Sequence, residues 1–409
     1  MEKYTDIAII GGGASGLAAA VSAKDAQNAR VEILEKYPRT GKKLLATGNG
    51  RCNLWNANAS EDKFFGAGAF AKHALEAFDK DDFFASVGLE IRVQDNGLAY
   101  PMSNQASAVL DCLRFTCAEK GVSETTDFHV VKIEGKKGKF RITSENGDIV
   151  FAKRVVLATG SMAQPKLGGN NAFQTLLKPF GHSFTRCLPA LSYLKTNPSD
   201  VSGLKGMKYQ GEIALLLEGR QIACETGEIL FSENGVSGIA AMQLSLYAAE
   251  PLSRGKKLCV RMSPLPMKKT DAEAFIGKRK SLFPERTLEE LLTGAVVKRI
   301  AQAAFKRAGV SPLTRKAETL TRSEIRKIAG ELTEWLCPVV AVGGFDVCQV
   351  MLGGAEASEF DEKTMESKLV PGLYAAGELM DVTGPCGGYN LTWAWASGAL
   401  AGRSASDSL

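Results

Sequence analysis

The first 35 residues constrain this chain more than any other stretch. Asp6-Ile-Ala-Ile-Ile10 reads as an apolar strand, Gly11-Gly-Gly-Ala-Ser-Gly16 as a glycine turn, and the Ala-rich run to Ala26 as a helix. In a G-x-G-x-x-G turn the first glycine, Gly11, makes the tight bend. The second, Gly13, admits a pyrophosphate to the backbone, and Gly16 lets the helix lie close on the strand. Ala14 and Ser15 open the helix, whose first N–H groups can hold phosphate. Val31-Glu-Ile-Leu34 is the next strand and ends at Glu35, 19 residues beyond Gly16, where a carboxylate accepts hydrogen bonds from an adenosine ribose. The chain is therefore expected to build an α/β sheet that holds a dinucleotide at the C-terminal ends of its strands. NAD and FAD share the adenosine diphosphate end, so the turn does not choose between them. Glu35 argues only against a 2'-phosphate at this site.

At 409 residues the chain suits two or three domains. No run approaches the ~18–20 apolar residues of a membrane span. The N-terminus lacks the pattern of a signal peptide, and a cytoplasmic protein is expected. Nine cysteines, an odd number with no C-x-x-C pair, suggest neither a disulfide framework nor a zinc ribbon. His73, His129 and His182 lie far apart in sequence, so no metal site is expected. The net charge is +5, yet Lys268–Lys327 alone carries fifteen Lys or Arg against seven Asp or Glu, +8 in all. That stretch has few aromatics and a helical apolar period, which favours a solvated helical face over a nucleic-acid surface.

Beyond Glu35, Gly41-Lys-Lys-Leu-Leu-Ala-Thr-Gly-Asn-Gly-Arg-Cys-Asn53 is too polar and glycine-rich for a core element and is a site candidate. Helical patterns span 70–87 and 107–120, and strand patterns span 129–133, 139–143 and 154–158, the last ending at Ala158-Thr159-Gly160. From Pro189 the pattern changes to alternating strands with glycine turns, and Thr270–Leu336 is helical with breaks at Pro284 and Pro312. At Cys337-Pro-Val-Val-Ala-Val342 the β pattern of the first domain is expected to resume. The expected organisation is a discontinuous domain of 1–188 and 337–409. Its insert, 189–336, divides into a β-barrel-like part at 189–266 and a helical part at 267–336.

Near the C-terminus a short strand ends in Gly377-Glu378, and Gly387-Gly388 precedes a small-residue helix beginning near Asn390. Joined to the N-terminal turn and the Ala158-Thr-Gly160 strand end, these pieces suit a two-ended cofactor. Glu378 can bind the ribityl hydroxyls of a flavin, and the start of the last helix can stabilise charge at the flavin N1–C2 carbonyl. NAD has no ribityl chain and would leave this half unused.

Several stretches in order are familiar together: Gly48-Asn-Gly-Arg-Cys-Asn53, Tyr100-Pro-Met-Ser-Asn-Gln-Ala106, Gly227-Glu-Ile-Leu-Phe231 with Gly235-Val-Ser-Gly238, Thr364-Met-Glu-Ser-Lys368, Pro371–Glu378, and Gly387-Gly-Tyr-Asn-Leu391 with Trp393-Ala-Trp395. By these the chain resembles, over nearly its whole length, the bacterial NAD(P)/FAD-dependent oxidoreductases. That family includes aminoacetone-oxidase-like and 3-dehydro-bile-acid Δ4,6-reductase-like (BaiN-like) members. The resemblance implies a glutathione-reductase-like, two-dinucleotide-binding FAD domain interrupted by a β-barrel and a small helical bundle. It implies FAD along Lys36, Lys43 and the Gly48–Asn53 loop, Cys52 included, with Arg51 and Asn53 near the pyrophosphate or ring. It also implies a backbone contact of Val131 with adenine, and further contacts from Ala158, Thr159, Gly160, Gly377, Glu378, Gly388, Asn390 and Leu391.

Two departures fall in loops expected on the substrate side. Gly168-Gly-Asn-Asn-Ala-Phe-Gln174 replaces a Gly-Ser-Thr-Gly-Asp-Gly-Tyr pattern, and Ile239 follows Ser237-Gly238 where the family has proline.

With a flavin bound, the cofactor carries the hard chemistry. Tyr389 and Arg51 are the candidate catalytic residues, placed to position substrate or stabilise charge. Cys52 and Cys386 lack redox-pair spacing and read as structural. One glycine cradle is present, so NADH or NADPH would reduce the flavin by a transient visit to its open face. Reduction of a conjugated enone, such as a 3-oxo-4-ene steroid or bile acid, is the leading expectation for a small-molecule substrate. Oxidation of a small amine such as aminoacetone is the alternative. A flavoprotein whose basic helices bind RNA or another partner is a third.

Overall fold

Apolar runs set the sheet. In the computed structural model, which describes residues 2–26, 29–136 and 138–409, Glu2–Ile10 (β1) buries Ile7, Ala8 and Ile9 completely. Ala14–Ala26 (α1) follows, then the wholly buried Val31–Leu34 (β2). Trp55–Asn56 (β3), Ile91–Val93 (β4) and Leu98–Pro101 (β5) form a small antiparallel sheet with β5 in its middle. Ser123–Thr125 (β6), Val130–Lys136 (β7), Lys139–Ser144 (β8) and Ile149–Leu157 (β9) complete the main sheet in the order β6-β2-β1-β9-β8-β7. Leu373–Ala375 (β10) lies parallel to the end of β9, and Tyr389–Asp407 (α2) is the last helix. Strands β6, β2, β1, β9 and β10 run parallel, so their C-terminal ends share one edge.

Both α1 and α2 are rich in Ala, Gly and Ser because their backbones nearly touch. A Cβ on Gly398 would stand 2.2 Å from the Ser15 carbonyl oxygen, and one on Gly402 would stand 2.1 Å from that of Ala19. Small residues here let the two backbones pack without the side-chain layer that usually sets helix axes about 8–10 Å apart.

The chain divides into two units, Met1–Leu188 with Gln349–Leu409, and Pro189–Cys348. The second unit contains a closed six-stranded barrel in the order 194–196, 235–237, 220–232, 208–217, 258–263, 335–342. One hydrophobic core runs from the barrel's Ile213, Phe231, Val260 and Trp335 into the helices at 269–282, 298–307 and 322–333 through Ile276, Ile300, Phe305 and Ile328.

This corrects the boundary expected at Cys337. Trp335–Val342 pairs with 258–263 and 194–196 as a barrel strand, and the first unit resumes only at Gln349. Its burial alternates, with Trp335, Cys337 and Val339 inside and Leu336, Pro338 and Val340 exposed. The run Val339-Val-Ala-Val342 hid that alternation, since its outward residues are apolar too. The helices are thus an insertion within the barrel and share its core. Within the barrel Arg220–Ser232 is one continuous strand, in which Glu225 and Thr226 stay in the ladder opposite Ile213 and Glu212.

Candidate functional site

The glycine turn places each of its residues for a different reason. Gly11 has φ +104, and a Cβ there would lie 2.4 Å from the Ala158 carbonyl oxygen. A Cβ on Gly16 would lie 1.9 Å from the Gly11 oxygen, so α1 can pack on the turn only through glycine. Gly13 faces open space, with nothing within 4 Å of its Cβ position. The middle glycine is therefore the one whose backbone a ligand can approach. Ala14 and Ser15 begin α1, whose first N–H groups have no acceptor within the helix.

Glu35 follows β2, and its carboxylate accepts hydrogen bonds from the N–H groups of Gly12 at 2.7 Å and Tyr37 at 2.9 Å. Burial pushes its pKa above the usual range and outweighs those bonds. Lys36 next to it is exposed. Val131 lies 39% exposed on β7 at a register irregularity between Val130 and Lys132, where a bulge frees backbone groups from the ladder. Phe128 donates its N–H to the Glu35 carbonyl at 2.9 Å, which ties the start of β7 to the same edge.

At the end of β9, Ala158 is buried while Thr159 and Gly160 are half-buried, and Gly160 has φ +72 with open space at its Cβ position. The Thr159 hydroxyl is buried without a hydrogen-bond partner. From β10 comes Gly377, whose N–H donates to Ser397 Oγ at 2.9 Å and whose carbonyl accepts from Trp393 Nε1 at 3.0 Å. A Cβ on Gly377 would sit 2.6 Å from Ser15 Oγ, so the two ends of the chain meet there. Glu378 pairs with Lys43, Nζ to Oε2 at 2.7 Å, while its other carboxylate oxygen, Oε1, is buried with no partner. A buried, unpaired carboxylate oxygen needs a donor.

Leu44–Gly50 forms distorted 3-10 turns in which Gly48 and Asn49 adopt left-handed backbone, as Cys52 does at φ +56. Cys52 is fully buried, and burial pushes its thiol up to about 12, which keeps it protonated and unreactive. Asn53 pins the loop to α2. Oriented by its neighbours, its amide donates to the carbonyls of Trp55 at 3.2 Å and Ala99 at 3.1 Å and accepts from the Gly388 N–H at 3.1 Å. Arg51 is exposed; its Nε donates to the Gly48 carbonyl at 3.3 Å and its guanidinium lies 5.0 Å over the Tyr100 ring.

Gly388 caps α2 with φ +92, and the first helical bond is from Thr392 N–H to the Gly388 carbonyl at 2.9 Å. The N–H groups of Tyr389, Asn390 and Leu391 thus precede the ladder. The Asn390 side chain closes the preceding loop by accepting from the Gly384 N–H at 2.8 Å and donating to its carbonyl at 2.7 Å. Tyr389 is half-buried and edge-on to Phe64, centroids 6.3 Å apart.

All these residues belong to the first unit. The open Gly13 and Gly160 backbones, the partnerless Glu378 Oε1 and Thr159 Oγ1, and the capped start of α2 fit a ligand with phosphates, hydroxyls and an acceptor-bearing ring. Tyr100, Ser397 and Trp393 support the site without having been assigned a part in it from sequence. A serine or tryptophan inside an apolar helix carries no local sign of the distant backbone it holds. Among the described residues no group of three or more His, Cys, Asp or Glu could hold a metal, and no helix is long and apolar enough to cross a membrane.

Residues 5–404 match the family described as the HI0933-like protein Rossmann domain. The chain is 36% identical to a 3-dehydro-bile acid delta(4,6)-reductase of Clostridium scindens over 98% of this chain and 99% of the relative. It is 28% identical to a ribosomal RNA dihydrouridine synthase of Escherichia coli over 97% and 96% of the two. A flavocytochrome c3 fumarate reductase shares the fold, with TM-score 0.51 and 17% identity over 99% of this chain and 78% of that one.

Proposed function

As the chain belongs to the HI0933-like Rossmann-domain family, we propose that this FAD-dependent oxidoreductase reduces a conjugated enone of steroid or bile-acid type, with NADH or NADPH as reductant. The observation that carries the reading is the near full-length, 36% identity to a reductase whose named substrate is a 3-dehydro bile acid. FAD, when bound, supplies a two-electron carrier able to deliver hydride to an electron-poor double bond.

The chain's own residues hold and orient. The Gly11–Gly16 turn, Ala14 and Ser15 would take the pyrophosphate, and Glu35 with Val131 the adenosine. Lys43-paired Glu378, through Oε1, would accept from the ribityl hydroxyls. The N–H groups at the start of α2 would serve the ring's N1–C2 carbonyl, where the helix dipole favours negative charge. The Tyr389 hydroxyl would orient the substrate carbonyl or supply a proton.

Anaerobic mixing of the purified flavoprotein with NADH, NADPH or aminoacetone, followed by flavin absorbance, tests this. Bleaching by a nicotinamide and recovery of colour on adding a 3-oxo-4-ene steroid are expected. Failure of both nicotinamides to bleach the flavin refutes it, and bleaching by aminoacetone alone moves the protein to amine oxidation.

A second reading has its own support. The uracil 5,6 double bond is also conjugated to a carbonyl, two relatives are named ribosomal RNA dihydrouridine synthases, and the second unit has spare positive charge. Lys278, Arg286, Arg299, Lys306, Arg322 and Lys327 are exposed and form no ion pair among the described residues. RNA retention that weakens steeply with salt would favour it.

A further inference from the structure

We propose that Arg51 and Arg92 form an oxyanion-binding subsite at Tyr100, which takes a carboxylate or phosphate group carried by a small-molecule reactant. Arg51 is exposed, yet its guanidinium is held on two sides. Nε donates to the Gly48 carbonyl at 3.3 Å, and the planar group lies 5.0 Å over the Tyr100 ring. The backbone beneath it is fixed by a run of left-handed residues, Gly48 at φ 56, Asn49 at φ 56 and Gly50 at φ 81, with Cys52 at φ 56 beyond. The ring that supports it is itself 6% exposed, in the middle strand of its sheet. This leaves the two Nη groups as a fork with no carboxylate partner among the described residues, a geometry that matches carboxylate and phosphate oxygens two at a time.

Arg92 lies directly across the β4–β5 ladder from Tyr100, so the two side chains share a face of that sheet. Its Nη2 reaches Asn104 Oδ1 at 3.4 Å, and it too forms no ion pair among the described residues. Arg51 over the Tyr100 ring and Arg92 in register with Tyr100 are thus two arginines with no ion-pair partner among the described residues, in the loop and sheet that lead through Asn53 to the start of α2. A ligand anion that reached both would make charge-assisted hydrogen bonds to them.

The substrate arm of this inference rests on the proposed enone reduction; the binding arm does not. The purified flavoprotein is titrated, by flavin difference absorbance, with 3-oxo-4-cholenoic acid against its methyl ester and with NADP+ against NAD+. Arg51→Gln and Arg92→Gln are each expected to weaken the charged member of one pair about tenfold more than its less charged counterpart, the worth of one charge-assisted hydrogen bond. Arg51→Lys should fall between, since it keeps the charge and loses the fork. A loss confined to the acid assigns the subsite to the substrate carboxylate, and one confined to NADP+ assigns it to the reductant's 2'-phosphate. Equal losses within both pairs overturn the inference, as does wild-type protein that responds to neither charged ligand. Loss of bound flavin from Arg51→Gln also overturns it and returns Arg51 to the cofactor. If wild type turns over neither the acid nor the ester while NADP+ binding still depends on Arg51, the enone reading fails and the subsite stands.

Discussion

Glu378→Gln tests the proposed flavin-specific half of the cradle. Its carboxylate spends one oxygen on Lys43 at 2.7 Å and leaves the other buried and unpartnered, although the residue sits only 21% exposed. A hydroxyl donating to that oxygen makes a charge-assisted hydrogen bond worth about 1.5–3 kcal/mol. Glutamine keeps the shape but offers a neutral acceptor to one partner and an unwanted donor to the other. The dissociation constant for FAD should therefore rise roughly 10- to 150-fold. The ion pair itself contributes little of this. Its side chains are 30% and 21% exposed, and such pairs are worth about 0–1 kcal/mol, so Lys43→Met should weaken FAD less than about fivefold. The assay is quenching of FAD fluorescence on titration into apoprotein, with ADP as a second ligand. ADP has no ribityl chain, so its affinity should be unaltered in Glu378→Gln. FAD binding within twofold of wild type would refute the assignment. So would parallel losses of FAD and ADP, which would mean that Glu378 acts by holding the fold.

Two other outcomes follow from particular side chains. His182 is buried, with Nδ1 2.8 Å from Glu359 Oε2, Nε2 2.9 Å from Ser367 Oγ, and Phe360 stacked on its ring at 4.6 Å. Burial depresses its pKa below 6.5 against the opposing pull of Glu359, so the folded protein holds it neutral where the unfolded chain binds a proton. Its contribution is present above about pH 6.5 and lost as the pH falls. The urea midpoint should drop between pH 7 and 5, and His182→Gln, though less stable at pH 7, should flatten that slope; an unchanged slope rejects the account. Tyr389→Phe keeps the edge-on contact with Phe64, so it should retain flavin and lower turnover about 100-fold or more if the hydroxyl acts in proton transfer. Full turnover removes it from the reaction.

What could be read without the structure depended on whether a residue's task is local. Gly11 at φ +104 and Gly16 against the Gly11 oxygen answer to backbone geometry within six residues, and such needs leave a fixed spacing in sequence. The glycines before α2 likewise mark a helix start that only left-handed backbone can make at Gly388. Partnerships across hundreds of residues leave no spacing. Lys43 meets Glu378, and Trp395 donates from Nε1 to the Leu54 carbonyl at 2.9 Å, through strand order alone. The Cys337 boundary failed for a related reason, since a strand paired on both sides with an apolar outer face loses the alternation that would have placed it in a barrel.

The small residues of the last helix show how a long-range contact can still write itself into composition. Nothing in the local chemistry of α2 requires glycine at 398 or 402, and glycine within a helix costs about 1 kcal/mol against alanine. Their Cβ positions, 2.2 Å and 2.1 Å from the Ser15 and Ala19 carbonyl oxygens, show what offsets that cost. Only with hydrogen at both positions can α2 press on α1, and that contact accompanies the placement of Gly377 against Ser15 Oγ, with Glu378 one residue away. A helix of small residues at the end of such a chain is therefore a statement about its beginning. It holds Gly377, and with it the neighbouring Glu378, against the start of α1 beside the N-terminal turn.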